Sequence, residues 1–359
     1  MVEKFKELCH IAGLDSPLYH VVVDACRQQF FIGKKLFDVK NWLKKLPWFM
    51  AFQLEAMLRN GRLNTRDLMC NLRPLVDRLH REHPDTADNV LCYFNEELEV
   101  RPPKESPVEC FKRICNRRSG THRAPLYSKF FYCHHVTITP TRFILEGPFA
   151  TQSNRVVRLY EGFEENFLRV DFREEDGLHY RWGRELDATT FLNERVGGIL
   201  KGGFELAGRQ FEFLAYSNSA LREHAVWFMR PFEHPERGWV TSDKIRASLG
   251  DFSSVLRQPS KYAARMAQAF TATDPSITIR RDEWKEIADI GDFTDGVGTI
   301  SPEMRDSIWN ELCASRRDHG KNAIKPDVVC DIIFCRLLFL NYVIVSNSVP
   351  GIQRSCGCR

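Results

Sequence analysis

Apolar residues in the first hundred positions recur with the spacing of an amphipathic helix. Members of this pattern, at steps of three and four residues, are Trp42, Leu43, Leu46, Phe49 and Met50. Asp38 can cap the helix, Pro47 is expected to kink it because proline lacks a backbone donor, and Gly61 is a plausible stop. Leucines and Val76 continue the pattern into a second helix over residues 68–79. The sequence therefore predicts a helical N-terminal region, residues 1–100.

From Tyr127 the period changes to that of strands. The run FFYCHHVTITPTRFILEGP alternates β-branched or aromatic residues with polar ones and ends in a Gly-Pro breaker. Further predicted strands are Val156–Tyr160, Phe167–Phe172, Phe204–Ala207 with Phe211–Tyr216 as a hairpin, and Ala225–Met229. Ser242 is expected to cap a short helix ending at Gly250, and a longer helix is expected from Pro259. The pattern predicts a mixed α+β middle region, residues 127–290.

The two regions are joined by residues 101–126, which are rich in proline and then in basic residues. A flexible, solvated linker is the favoured interpretation. The alternative is contact with RNA phosphates, which mobile cations can make. The candidate cations are Arg113, Arg117, Arg118, His122 and Arg123.

Composition narrows the class of protein. The chain has 359 residues, of which 43% are hydrophobic and 27% charged, so it fits two or three folded domains and is not disordered. A net charge of +4 is compatible with nucleic-acid binding without arguing for it alone. The start MVEKFKELCH lacks an apolar signal-peptide core, and the twelve cysteines are irregularly placed. Reduced thiols in the cytoplasm or nucleus are expected.

One cluster suggests a metal site. Cys133, His134 and His135 have zinc-ligating side chains, but no second ligand pair follows at finger-like spacing. A strand whose residues alternate between two faces is therefore favoured. No metal ligands are predicted.

Four blocks carry a resemblance to a known family. They are FYCHHVTITPTRFILEGP (131–148), QSNRVVRLYEGFEENFLRVDFREEDG (152–177), RVGGILKGGFELAGRQFEFLAYSNSALREHAVWFM (195–229) and GDFTDGVGTISPEM (291–304). In this order they resemble the cellular RNA-dependent RNA polymerases of RNA silencing, in particular the fungal members. The resemblance covers about Tyr127 to Pro326.

The resemblance implies a nucleotidyltransferase that copies single-stranded RNA into double-stranded RNA for small interfering RNA production. Its substrates would be an RNA template and NTPs, and its partners could include silencing-machinery proteins. Its core would be a pair of double-ψ β-barrels, of which residues 291–326 would begin the first. Its Mg²⁺ would be held by an Asp-x-Asp-Gly-Asp loop in the second barrel.

That acidic loop does not occur in this sequence. The closest approach is Asp289, Asp292 and Asp295, which the resemblance places in a turn and strand start of the first barrel. Mg²⁺ takes oxygen ligands, so phosphoryl transfer with two cations requires a tight carboxylate group. The chain is therefore expected to be an N-terminal part of the enzyme, with no catalytic residues and no polymerisation by itself.

The resemblance leaves RNA contacts as the remaining chemistry. Arginine and lysine suit phosphates electrostatically. The candidates are Arg155, Arg158, Arg169, Lys201, Arg222 and His224. Phe211, Phe213 and Tyr216 alternate like a half-buried strand and are expected in the core rather than on bases. The alternative function is that of a non-catalytic module, which binds single-stranded RNA or has a regulatory role.

The last segment, residues 327–359, departs from the family pattern. It holds four of the twelve cysteines, and Val328–Val345 is almost continuously apolar. A membrane span is disfavoured because Asp331 and Arg336 interrupt the apolar run, and inserting each charge into a membrane costs about 2.5–3.5 kcal/mol. A tail anchor over residues 328–345 is the alternative. The abrupt change suggests a shifted reading frame or a translated intron.

Overall fold

The structure is a computed structural model. It describes residues 34–102, 104–123, 126, 130–180, 189, 191–217, 224–273, 277–283, 297–316, 332–337 and 340–346. The chain divides into two compact units, Met1–Ala272 and Thr273–Arg359. Each unit is described by itself.

The first unit begins with helices. They are α1 Lys34–Lys45, α2 Trp48–Arg59, α3 Arg73–Glu82, α4 Ala87–Val100 and α5 Pro107–Arg118, with a π-helical turn over Asp67–Leu72 before α3. Pro47 separates α1 from α2, and Gly61 follows α2 with a φ of 74° that favours glycine. Helix α2 is buried on most of its surface. The predicted helical N-terminal region is confirmed over its described part.

The segment predicted as a flexible linker contains helix α5, so that prediction is wrong for residues 107–118. Ser106 and Glu109 form a capping box at its start, which satisfies backbone donors that would otherwise be unpaired. Cys110, Phe111 and Ile114 are buried on one face. The sequence did not predict this helix because its apolar stripe is short and most of its other residues are basic or polar.

A six-stranded sheet follows. Its strands are β1 Phe130–Ile138, β2 Phe143–Gln152, β3 Phe167–Phe172, β4 Phe204–Leu206, β5 Arg209–Tyr216 and β6 Ala225–Met229, in the order β2-β1-β3-β6-β5-β4. Only β1 and β3 are parallel; the other neighbours are antiparallel. A separate hairpin pairs β7 Phe232–His234 with β8 Gly238–Val240. The predicted strands over 167–172 and 225–229 and the hairpin over 204–216 are confirmed.

One predicted strand is wrong, because Val156–Tyr160 begins with the short helix α6, Arg155–Arg158. The Asn154 side chain accepts a hydrogen bond from the backbone N–H of Val157 and starts the helical turn. Val156 and Val157 are buried, so a local cap overrides their β propensity.

The described part of this unit also contains the α-helices α7 Gly197–Gly202, α8 Ser242–Ser248 and α9 Pro259–Ala267. The last two confirm the predicted helices, although Thr241 rather than Ser242 caps α8 by accepting from the Lys244 N–H.

Apolar side chains cover both faces of the sheet. On β3, Leu168, Val170 and Phe172 join the core shared with α1–α5, while Phe167 lies in the core shared with α6, α8 and α9. Side chains of a strand alternate between faces, so each strand serves both cores. We call the face of the sheet that packs against α1–α5 the helical-domain face, and the face that packs against α6, α8 and α9 the small-helix face.

The second unit contains β9 Val297–Ile300, α10 Pro302–Arg316, β10 Ile332–Leu337 and β11 Leu340–Ser346. Strand β11 pairs antiparallel with β10 and parallel with β9. The apolar tail segment thus forms strands where it is described. Among the described helices, none combines the length and apolar character that crossing a membrane requires. Asp289, Asp292 and Asp295 lie outside the described residues.

Candidate nucleic-acid interface

Alternation along β1 separates the three side chains of the Cys-His-His cluster, and a β-bulge in the partner strand β2 lies opposite it. The register with β2 shifts between Cys133 and His135. Cys133 is fully buried on the small-helix face, and burial raises the pKa of its thiol to about 12. His134 points into the helical-domain face, where its Nδ1 accepts a hydrogen bond from Trp48 Nε1 at 3.2 Å. The strand interpretation of this cluster is therefore confirmed.

Alternation places His135 on the small-helix face, like Cys133 two residues earlier, at the start of a polar row. In the parallel register of β1 and β3, His135 lies opposite Arg169. In the antiparallel register of β3 and β6, Arg169 lies opposite Trp227. Neighbouring strands are about 4.8 Å apart, so the three side chains stand side by side on one face. We call His135, Arg169 and Trp227 the polar row.

Electrostatics within the polar row favour an uncharged histidine. Burial, and then the Arg169 charge, lower the pKa of His135 to about 4. Arg169 Nε lies 3.7 Å from Asp171 Oδ1, and the guanidinium carbon lies 5.9 Å from the centre of the Trp227 ring. At neutral pH the row therefore offers hydrogen-bonding groups and an aromatic surface around one partly neutralised cation.

An exposed aromatic ring flanks the row. Phe149 of β2 is 47% exposed, and its ring centroid lies 5.1 Å from that of His135 with the ring planes at 82°. Aromatic rings with a free face are the usual stacking platforms for unpaired bases. The small-helix face thus combines stacking surface, hydrogen-bonding groups and a cation.

The sequence matches the family model described as "RdRP: RNA dependent RNA polymerase" over residues 138–328, more than half of the chain. This chain belongs to the RNA-dependent RNA polymerase family. The match begins at the end of β1 and includes the strand that carries Arg169 and the strand that carries Trp227.

Individual members of the RNA-dependent RNA polymerase family are similar over different lengths. RNA-dependent RNA polymerase 1 of Arabidopsis thaliana is 36% identical over 186 residues, covering 48% of this chain and 16% of that protein. RNA-dependent RNA polymerase 1 of Schizosaccharomyces pombe is 32% identical over 299 residues, covering 80% of this chain and 22% of that protein. The match thus spans about a sixth of the first relative and just over a fifth of the second.

A solved structure is similar in fold. The RNA-dependent RNA polymerase QDE-1 from Thielavia terrestris superposes with a TM-score of 0.51, at 14% identity, over 88% of this chain and 34% of that chain. At this identity the likeness concerns the fold alone. It supports the mixed α+β architecture predicted from the sequence.

The metal implied by the polymerase family does not fit the described residues. Among them, no three or more His, Cys, Asp or Glu side chains are grouped so as to hold a metal ion. The described part of this chain therefore supplies no carboxylate cluster of the kind Mg²⁺ requires.

Three of the predicted RNA-contacting arginines lie on the small-helix side. Arg169 belongs to the polar row, while Arg155 and Arg158 lie on α6, whose valines pack into the small-helix core. Burial lowers the pKa of Arg155. The structure thus brings these three residues to one side of the sheet, and RNA contact by them stays a prediction.

The other predicted contacts are dispersed. Lys201 is exposed on α7, whose Ile199 packs into the opposite core. His224 adopts a φ of 51°, and burial, then His179 and Arg173, lower its pKa. A neutral imidazole can hydrogen-bond but supplies no charge to a phosphate. Arg222 lies outside the described residues.

Sequence reasoning missed His135, Phe149 and Trp227 as site residues. His135 was interpreted only as a strand residue, and the other two lie in stretches that look like ordinary strand packing. For Phe149 a signal was available, because it directly follows the Gly147-Pro148 breaker and so begins after a tight bend. The registers of β1, β3 and β6 bring His135 and Trp227 to Arg169, and the bulge in β2 brings Phe149 to His135.

Proposed function

We propose that this chain is a portion of an RNA-dependent RNA polymerase that copies single-stranded RNA into double-stranded RNA for gene silencing. The observation that carries the proposal is the family match over residues 138–328. The relatives in a plant and a fission yeast bear the polymerase name, and a fungal polymerase has a similar fold. These matches do not favour the alternative of a free-standing regulatory module.

Within that enzyme, the chain serves as the RNA-binding scaffold that precedes the catalytic core. Support comes from its two compact units and from the arginines gathered on the small-helix side. Residues 291–326 would begin the first double-ψ β-barrel in a multidomain protein.

The chemistry itself belongs to other residues of the enzyme. Phosphoryl transfer would use Mg²⁺ and NTPs on a carboxylate loop, which the described residues do not supply. Silencing-machinery proteins would be its partners, in the cytoplasm or the nucleus. The departure of residues 327–359 from the family pattern supports a shifted reading frame or a translated intron. Sequencing the transcript across the codons for Lys325 to Val329 tests this, and a spliced message encoding the same tail would exclude it.

RNA binding by the purified chain tests the scaffold role. We expect a fluorescent single-stranded 12-mer to bind with an affinity that falls as salt rises, because bound phosphates release counterions. The double variant Arg155→Ala/Arg158→Ala should bind more weakly and lower the log–log salt slope by about 0.7 for each phosphate that it no longer binds. Arg78→Ala, which removes an exposed arginine paired with Glu82 on α3, is the matched control.

The same preparation tests where catalysis lies. With single-stranded RNA, NTPs and Mg²⁺, we expect no incorporation of labelled nucleotide by this chain alone. Robust product would contradict the proposal that the catalytic carboxylates lie outside it. Salt-independent binding, or none, would contradict the scaffold role.

A further inference from the structure

Residues 112–123 concentrate positive charge on α5 and the turn that follows it. These twelve residues hold one lysine, four arginines and no aspartate or glutamate, whereas the whole chain has a net charge of only +4. A surface of one sign raises the local concentration of a ligand of the opposite sign. The segment therefore attracts an anion unless carboxylates from elsewhere in the fold neutralise it.

Carboxylates neutralise two of the four arginines. Arg113 lies between Glu105, whose Oε1 is 2.8 Å from its Nε, and Glu97, whose Oε2 is 3.0 Å from its Nη1. Arg123 is half-buried, and its Nη2 lies 3.2 Å from Asp88 Oδ2. These two arginines hold α5 and the turn after it on α4, so they are not available to a ligand.

The other two arginines, Arg117 and Arg118, lie exposed at the end of α5, and we call them the arginine pair. Neither forms an ion pair with a carboxylate of the described residues. Both oxygens of the nearby Glu105 already accept hydrogen bonds from Arg113. The pair thus keeps its two positive charges at the surface.

The arginine pair is also held in place. The guanidinium carbon of Arg118 lies 4.2 Å from the centre of the Tyr93 ring, a cation–π contact that orders the side chain without removing its charge. Just beyond the pair, the Gly120 N–H donates to Thr86 Oγ1 at 3.3 Å, and Asn89 Nδ2 donates to the Thr121 carbonyl at 2.8 Å. Groups that are already ordered lose less conformational freedom when a ligand binds.

The surroundings of the arginine pair favour phosphates over a protein surface as the ligand. Its exposed neighbours are Asn116, Ser119 and Gly120. Among the exposed large hydrophobic side chains of the described residues, none lies in residues 112–123, whereas the centre of a protein interface is apolar. A guanidinium group presents its donors as a fork that matches two oxygens of one phosphate.

We propose that the arginine pair binds neighbouring phosphates of single-stranded RNA. This inference rests on the proposed function, because it assigns a further contact of the RNA-binding scaffold. Helix α5 packs into the core of the helical-domain face through Ile114, whereas α6 packs into the core of the small-helix face. The arginine pair and the arginines of α6 therefore contact different stretches of RNA.

The test first removes the contacts of α6. Binding of a labelled single-stranded 12-mer is measured by anisotropy at several salt concentrations for the unaltered chain and for Arg155→Ala/Arg158→Ala, each with and without Arg117→Ala/Arg118→Ala. At about 0.7 in log–log slope for each phosphate, loss of the pair from the α6 variant should lower the salt slope by about 1.4 and weaken binding about 25-fold at 0.1 M salt. Arg117→Lys/Arg118→Lys keeps both charges and should retain most of the binding.

Arg78→Ala/Arg81→Ala is the matched control, because it removes two exposed arginines from the end of helix α3 and should leave the salt slope unchanged. Thermal unfolding checks that each variant folds. If the variant of the arginine pair does not fold, Arg117→Ala alone leaves the contact of Arg118 with Tyr93 in place and should lower the slope by about 0.7.

Four results would overturn the assignment of the arginine pair. Equal weakening by the control would show that net charge alone matters. Binding that is unchanged without the pair, or that is already abolished in the α6 variant, would place the phosphates elsewhere. A labelled hexaglutamate peptide that binds as tightly as RNA would assign the pair to an acidic protein segment. No RNA binding by the unaltered chain would overturn the proposed function as well.

Discussion

Trp48 donates a hydrogen bond from its indole nitrogen to Nδ1 of His134 across 3.2 Å, and this bond joins the central helix α2 to strand β1. Both residues are almost fully buried. The His134 ring also packs 4.1 Å, centroid to centroid, from Phe52. Because Nδ1 accepts, the neutral ring carries its proton on Nε2. This bond is one of several polar contacts that hold α2 on the sheet, since Gln53 Nε2 also donates to the Gly147 carbonyl at 2.7 Å.

Replacing Trp48 with phenylalanine tests the weight of this contact. The variant leaves His134 Nδ1 buried without its donor, which should lower the free energy of unfolding by about 1–3 kcal/mol. Urea unfolding followed by circular dichroism measures the change. Trp239→Phe is the control because Trp239 is 52% exposed on β8, and it should leave the midpoint almost unchanged. Equal stability of the two variants would contradict the role given to the bond.

Stability should fall as the pH drops below neutrality. Burial, then the charges of Arg123 and His135, lower the pKa of His134 well below 6.5, and burial, then Arg169, lower that of His135 to about 4. In the unfolded chain both imidazoles return to about 6.5 and bind protons first. The unfolded state therefore gains protons below pH 6.5, and the folded state loses relative stability from about pH 6.5 down to about pH 4.

Urea midpoints at several pH values between 4.5 and 8 measure this slope. Each histidine contributes up to about 1.4 kcal/mol per pH unit. His135→Gln should remove its share of the slope, whereas His122→Gln, at an exposed position, serves as the control. An unchanged slope in His135→Gln would show that this imidazole titrates alike in both states.

Gly203 is expected to tolerate no side chain. It ends α7 with a φ of 68°, and a side-chain carbon there would lie 2.1 Å from the Phe211 carbonyl oxygen of β5. Gly203→Ala should therefore lower the free energy of unfolding by more than about 2 kcal/mol, because the backbone of β5 must move. Thermal or urea unfolding measures the loss.

Gly198 of the same helix provides the matched substitution. It has no neighbour within 4 Å of an added side-chain carbon. Gly198→Ala should stabilise the chain by about 0.4–1 kcal/mol, since alanine favours the helix and restricts the unfolded chain. Similar losses at both positions would show that the hairpin does not constrain Gly203.

Helix α5 depends on its cap. Ser106→Ala removes the side-chain acceptor for the Glu109 N–H, and it should lower stability by about 1 kcal/mol. It should also increase proteolytic cleavage between residues 101 and 123. Ser119→Ala at the other, exposed end of the helix should have little effect. Rapid cleavage of the unaltered segment would instead support a flexible linker there.

Local patterns predicted the elements whose signal is confined to a few neighbouring residues. Alternation gave the strand over Phe167–Phe172, and a turn between two apolar runs gave the hairpin of β4 and β5. The secondary-structure predictions were wrong where a helix-capping side chain outweighs the β propensity or polar composition of the residues that follow it. Asn154 turns a valine-rich run into α6, and Ser106 with Glu109 starts α5 in a segment that looks solvated.

The site was less accessible to sequence reasoning. Arg169 was predicted because arginine has one obvious use in an RNA-binding family. Its neighbours His135 and Trp227 are 34 residues before it and 58 residues after it in sequence, by subtraction of their numbers, and only the strand registers place them beside it. Phe149 joins them because the bulge in β2, at Gly147 and Pro148, brings its ring to His135.

The sequence by itself determined the family, because ordered blocks of residues are a linear property that needs no folding to be recognised. It also determined most helices and strands, whose periodicity follows from backbone geometry. Only the tertiary structure decided which polar side chains share a face. Strand pairing joins residues far apart in the chain, and a single bulge changes the face on which every following side chain lies.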